Sequence, residues 1–243
     1  MASALRIHPS AVIGDGVEFS GDATIGPGAV LLGPLKVGHR VWIGPNAVIG
    51  TPPEIASLRQ NAAWNSDLDH HGVEIGDDVV IRELSTVHQG SHRTTTIGSG
   101  TWLLNTVYVA HDSLVGEHVT LSAGARLGGH SEIGDHANVG MNATVHQRRI
   151  VGPGSMIGMA TPVTRDVPPF SKAYGSPIRL NGVNEYVLRQ LGASPDAIGR
   201  LAGAYAAGDF TLDGFADDPV LALWVGWWLA RSPQRPVRTG AGR

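Results

Sequence analysis

A chain of 243 residues with a formal net charge of −3 and 16% charged side chains carries no basic footprint for nucleic acid or an anionic membrane surface. It contains no cysteine, which excludes disulfides, thiolate metal ligands and a cysteine nucleophile, and is compatible with a reducing cytosol. Aromatic residues make up 6% while glycines number 33, a balance that suits a narrow interior of stacked aliphatic side chains better than a helix-packed globule.

The opening MASALRIHPSAV lacks the basic and long apolar regions of a secretory signal, so a cytoplasmic protein is expected. From about residue 7 a branched or aromatic apolar residue recurs every sixth position, as Ile13, Phe19, Ile25, Leu31, Val37, Ile43 and Ile49. A helix would repeat at three and four and a half-buried strand at two; a period of six needs a short strand, a corner and another strand. Residues 51–72 interrupt the pattern with prolines, histidines and aspartates and are expected to leave the stack as a loop. The period resumes at Ile75, Ile81 and Val87, breaks again over residues 89–95, QGSHRTT, and runs unbroken from Ile97 to Val163. Glycine often follows the aliphatic residue and is expected to allow the corner, while a small fourth residue, as at Ser113, Ala125 and Ala137, fills the interior. The chain is therefore read as an all-β solenoid, a parallel β-helix spanning residues 7–178.

Prolines over residues 161–178 stop the hexads, and helical spacing follows over 179–232 as a small α-helical cap. NEYVLRQLG reads as a helix closed by Gly192, and SPDAIGRLAGAYAAG as one with Ser194 at its cap, Pro195 in its first turn and Gly208 at its end. DPVLALWVGWWLARS is expected to form an amphipathic helix whose tryptophans pack on the solenoid. The longest apolar run, residues 219–230, is too short to span a bilayer, and residues 233–243 are expected to be a disordered tail.

The strings IRELSTVHQG, NTVYVAHDSLVG, LGGH, GMNATVHQ, RDVPPF and NGVN carry a resemblance to the left-handed β-helix acyltransferases. It is closest to the acyl-carrier-protein-dependent UDP-N-acetylglucosamine O-acyltransferases of lipid A biosynthesis, and covers about residues 6–50 and 65–205. The resemblance implies a left-handed coil with three hexads per turn and a homotrimer with active sites between subunits. It further implies an acyl thioester of acyl carrier protein or coenzyme A as donor, a sugar-like acceptor, and no bound cofactor or metal. With about 18 residues per coil, His111 and His130 should stack on successive rungs of one edge, with His146 above them and His88 below.

By the same resemblance His111 is the general base, Asp112 orients it and the Gly129 N–H holds the oxyanion. His88, His130 and His146 position substrate, or are exposed corner histidines. Asp67, Leu68, Gln147 and Asn184 match acceptor contacts, the alternatives being a solvated loop for the first pair and corner or capping amides for the others. Met159 matches the end of an acyl-length ruler, or is a packing residue. The chain departs from the family at Tyr108, where the family has a histidine, at Asp69, where it has a lysine, and at Gln190 and Leu191, where it has two arginines. Arg148 and Arg149 stand where it is apolar, and either meet a phosphopantetheine phosphate or snorkel to solvent. Two competing readings remain: a metalloenzyme like the γ-type carbonic anhydrases, with zinc on three histidines, and a non-catalytic hexapeptide scaffold.

Overall fold

The computed structural model describes residues 4–60, 70–231 and 235–239. Each hexad folds as a strand of two or three residues whose aliphatic member points inward. Leu103, Val109, Leu121, Leu127 and Val139 are completely buried. Strands pair in parallel with partners one coil away, so that Tyr108 pairs with Arg126, Arg126 with Thr144 and Thr144 with Pro162. The result is a left-handed β-helix of about nine turns, the rare hand for parallel crossovers. Among the described residues its three faces are sheets of 11, 8 and 7 strands, called here A, B and C. Face A contains Trp102–Leu103, face B Tyr108–Val109 and face C Leu114–Val115.

The glycine that follows the aliphatic residue does not make the corner by adopting a left-handed backbone. The left-handed residue stands two positions later and is mostly not glycine: Asp112, His118, His130, His136, Asn142 and Arg148 all have φ between 54° and 60°. Glycine is required beside the aliphatic residue because adjacent coils approach too closely there. A Cβ on Gly98 would lie 2.5 Å from the backbone of Gly116, and one on Gly134 2.5 Å from Pro153 N. The fourth residue does fill the interior, since Ser113, Ala125 and Ser131 are fully buried.

The last parallel strand of the coil is Ser171–Tyr174, close to the expected limit at residue 178. Strand Arg179–Val183 turns back antiparallel on Ser171–Tyr174 and extends face A. Helices α1 (Glu185–Gln190), α2 (Pro195–Ala207) and α3 (Ala222–Leu229) then cover the end. The Ser194 hydroxyl accepts the Ala197 N–H at 3.1 Å, and Gly208 closes α2 at φ 75°. Helix α3 is apolar on most sides rather than amphipathic. Trp228 is fully buried and Trp224 meets His136 edge-on, yet Leu223 is 71% exposed. Residues 235–239 depart from the disorder expected of 233–243: Arg238–Thr239 pairs in parallel with Arg179–Leu180, and Val237 is buried. Among the described residues no helix is long and apolar enough to cross a membrane.

Candidate active site

The corner between faces B and C comprises residues 110–113, 128–131 and 146–149, one rung above another. On the rung below, Val87 pairs with Val109, 22 positions on, so this coil has four extra residues, which leave at the same corner within residues 89–94. Gly90 permits the tight path, since a Cβ there would collide with the carbonyl of Arg93.

That short loop turns three backbone N–H groups onto one carboxylate. Asp112 Oδ1 accepts from Ser91 N at 2.9 Å, His92 N at 2.7 Å and Arg93 N at 2.9 Å, and Oδ2 accepts from Ser91 Oγ at 2.7 Å. The Asp112 N–H in turn donates to Thr95 Oγ1 at 2.9 Å. Burial alone would raise the Asp112 carboxyl; hydrogen bonds from His111, Arg93 N, Ser91 and His92 N outweigh it and hold the acid well below the usual carboxylate range. Asp112 is therefore an ion whose own side chain has no solvent access. Ser91, His92, Arg93 and Thr95 were not singled out from the sequence, where the only signal was a polar, glycine-containing break in the hexads.

His111 Nδ1 lies 2.6 Å from Asp112 Oδ2. An ionised carboxylate only accepts, so Nδ1 carries the hydrogen, and it is Nε2 that holds the lone pair whenever the ring is neutral. The imidazole packs over Gly129, where a Cβ would stand 2.7 Å from both Cε1 and Nε2. The Gly129 N–H donates to no acceptor among the described residues, while its carbonyl accepts Arg148 N at 2.9 Å. His130 stacks over Asp112 rather than over His111: its Nε2 is 3.6 Å from Asp112 Oδ2, and its ring meets that of His111 edge-on with centroids 5.2 Å apart. Burial, then the charge of Arg148 and the neighbouring His111 and Arg93, lowers the His130 pKa against the opposing pull of Asp112.

The other expected site residues are dispersed. His88 is buried beside the end of strand Val48–Thr51, with Nδ1 2.9 Å from Thr51 Oγ1 and its ring 5.2 Å from that of Tyr108. Desolvation lowers its pKa. The Tyr108 hydroxyl donates to Glu54, and burial together with that carboxylate raises it well above the ordinary tyrosine value. His146 is exposed and bonds the Gln147 carbonyl at 3.1 Å; Gln147 is exposed beside it. Asp67 and Leu68 lie outside the described residues. Asn184 is 6% exposed, and its Nδ2 donates to Gly154 O at 2.8 Å, a bond that ties the cap to the coil. It borders a cleft with Met156 and Tyr186 beside face A. Met159, 67% exposed, stands at the corner between faces A and B. Arg149 does not snorkel freely: its Nη1 pairs with buried Asp166 at 3.1 Å.

His111, Asp112 and His130 each offer a ligand atom, all within 4.8 Å of one another, a set that could hold a metal ion. The donor types suit zinc. Asp112, however, already accepts the loop's three N–H groups and one hydroxyl.

No protein-family model matches the chain. It is 39% identical over 134 residues to the acyl-[acyl-carrier-protein]–UDP-N-acetylglucosamine O-acyltransferase of Burkholderia thailandensis, a match covering 54% of this chain and 51% of that protein. The chain thus spans about half the length of the curated relatives it matches. Among solved structures, the UDP-N-acetylglucosamine acyltransferase of Francisella novicida superposes with a TM-score of 0.77 at 26% identity, over 97% of this chain and 95% of that one. The corresponding structure from Campylobacter jejuni gives a TM-score of 0.77 at 26% identity, over 96% and 99%. In sequence and in coil architecture, the chain resembles the hexapeptide-repeat UDP-N-acetylglucosamine acyltransferases.

Proposed function

We propose that the protein transfers an acyl group from a thioester of acyl carrier protein, or of coenzyme A, to a hydroxyl or amine of a sugar-nucleotide-like acceptor, with His111 as general base. The observation that carries this reading is the His111–Asp112 pair, 2.6 Å apart, seated on Gly129. His111 Nε2 takes the acceptor proton as the acceptor oxygen attacks the thioester carbonyl. Asp112 stabilises the imidazolium that forms, the Gly129 N–H faces the developing oxyanion, and the thiolate leaves with the proton returned by His111. A cytoplasmic site of action goes with such donors.

The reading includes a homotrimer. The corner of His111 is opposite face A in the three-sided prism, whereas Asn184 and Met159 flank face A, so one chain cannot bring them to His111. A neighbouring copy can. Transfer of acyl groups from acyl carrier protein to UDP-N-acetylglucosamine, followed by thiol release, tests the reaction. Its loss in folded His111→Ala supports the assignment, and undiminished turnover in that variant sinks it.

The metal-ligand set favours a second reading, a metalloenzyme with His111, Asp112 and His130 as ligands. Stoichiometric metal in the pure protein, with turnover lost on chelation and restored by zinc, would replace the first reading with this one.

A further inference from the structure

Above the His111 corner opens a cleft of about 880 Å³, walled on one side by coil residues and on the other by Ala230, Arg231 and Arg235. Five arginines line it, Arg93, Arg148, Arg149, Arg231 and Arg235, against a single carboxylate, Glu132. In a chain of net charge −3 this is a local inversion of sign.

The ion pairs leave cations over. Glu132 is shared by Arg93 Nη1 at 3.0 Å and Arg231 Nε at 2.6 Å, while Arg149 is taken by Asp166 beneath the cleft. The guanidinium groups of Arg148 and Arg235 have no carboxylate partner among the described residues. Arg235 is nevertheless fixed at its backbone, for Asp166 N donates to its carbonyl at 2.8 Å and its own N–H is held by the Asp166 carboxylate. Arg148 is fixed too, by the bond from its N–H to Gly129 O and by its place in the coil. Asp112, His130 and Arg148 occupy the same left-handed corner position on three successive rungs. Arg148 therefore stands two rungs above the carboxylate that holds His111, next to Gly129. His130 belongs to both the corner and the cleft wall.

A cleft with surplus guanidinium groups, contiguous with the acyl-transfer corner, matches a phosphate ester: a tetrahedral dianion that accepts several N–H donors. We propose that this cleft is a phosphate subsite of the transfer reaction, with Arg148 and Arg235 as its anchoring contacts. It rests on the acyltransferase reading for the identity of the substrate, not for the binding itself. It also accounts for how the chain handles a phosphorylated substrate with Asp69, Gln190 and Leu191 in place of the cations of the proteins it resembles. Two substrates carry this chemistry, a thioester donor through its phosphopantetheine phosphate and a nucleotide-sugar acceptor through its diphosphate.

The test uses the full chain with Arg148→Gln and Arg235→Gln. Titration with inorganic phosphate and with pyrophosphate requires no turnover, and each variant should bind about tenfold more weakly than wild type. Equal binding in wild type and variants, or none in wild type, overturns the subsite whether or not the protein is an acyltransferase. Steady-state kinetics then separates the sources. A KM raised about tenfold for an acyl phosphopantetheine, but not for the acyl pantetheine lacking the phosphate, assigns the donor. A raised KM for the nucleotide sugar, with donor KM unchanged, assigns the acceptor. Unchanged KM for both overturns the proposal even if His111→Ala abolishes transfer; weakened phosphate binding in a protein without transfer activity retains the subsite and removes the acyltransferase reading.

Discussion

His111 and Asp112 are adjacent in the chain, yet their side chains meet at 2.6 Å, because Asp112 is the left-handed residue of its corner, at φ 60°. In an extended strand neighbouring side chains point to opposite faces. The corner folds the carboxylate back under the imidazole, and the 89–94 loop fixes it there with three N–H groups. Asp112→Asn should thus do two things. It should lower kcat on the order of 10²-fold, by removing the charge that fixes the His111 tautomer, and should loosen the loop, visible as faster amide exchange at Ser91, His92 and Arg93. Protected loop amides in the variant would show that the carboxylate is not what orders the loop.

Replacing the base itself separates chemistry from folding. The His111 side chain lies at a corner outside the aliphatic stack, so His111→Ala should leave the circular dichroism spectrum unchanged while transfer falls on the order of 10²-fold or more. Near-wild-type turnover would remove His111 from the mechanism.

Gly129→Ala is a finer probe. Gly129 needs no left-handed backbone, but a Cβ there would stand 2.7 Å from His111 Cε1 and Nε2. The imidazole must move, away from Asp112 and from the acceptor. Activity should drop as for a displaced base, on the order of 10²-fold, with the thermal transition little changed. Full activity would mean that the ring tolerates another position.

Stability should depend on pH through the buried His88 and the half-buried His130 and His136. His88, His130 and His136 are all lowered from 6.5, chiefly by desolvation. Between those lowered values and 6.5 the unfolded chain binds more protons than the folded one, so stability rises with pH across that window and is lost as pH falls. Asp112 acts in the same direction below 3.8, where the unfolded acid protonates before the folded one. Urea unfolding should give a lower free energy at about pH 5 than at about pH 7.5, with a smaller difference in His130→Gln. A flat profile over that range contradicts the burial of these rings as described.

The regular part of this architecture is written in the hexads, because each aliphatic residue has one place to go, and the coil, the short break after His88 and the capped α2 follow from local chemistry. The clustering of His111, His130 and Asp112 follows as well, since an 18-residue coil stacks them. The role of the 89–94 loop does not, because backbone N–H groups converging on a carboxylate leave no residue-type signature in QGSHRTT. The reason for glycine after the aliphatic residue was also hidden, as it depends on the coil above and not on the local turn. Arg149 pairs with Asp166, 17 residues later, a contact set by coil stacking and by the returning chain near Arg235, which the sequence reads as a tail.

Met159 offers the last test, and it joins the proposed homotrimer to donor selection. A methionine that served as packing within its own chain would be buried, but this side chain is 67% exposed at the corner between faces A and B. Its replacement by glycine should change the stability of a single chain by no more than about 0.5 kcal/mol. The resemblance makes this position the end of a groove for the acyl tail, which must then run between subunits, since His111 stands across the prism. Wild type should use short or medium acyl thioesters and refuse long ones, and Met159→Gly should extend the range by several carbons. Light scattering on the same samples checks the assembly, and a monomer at working concentration would leave Met159 with no groove to close. A trimer whose donor-length profile is the same with methionine and glycine would show that the side chain lies outside the path of the acyl tail.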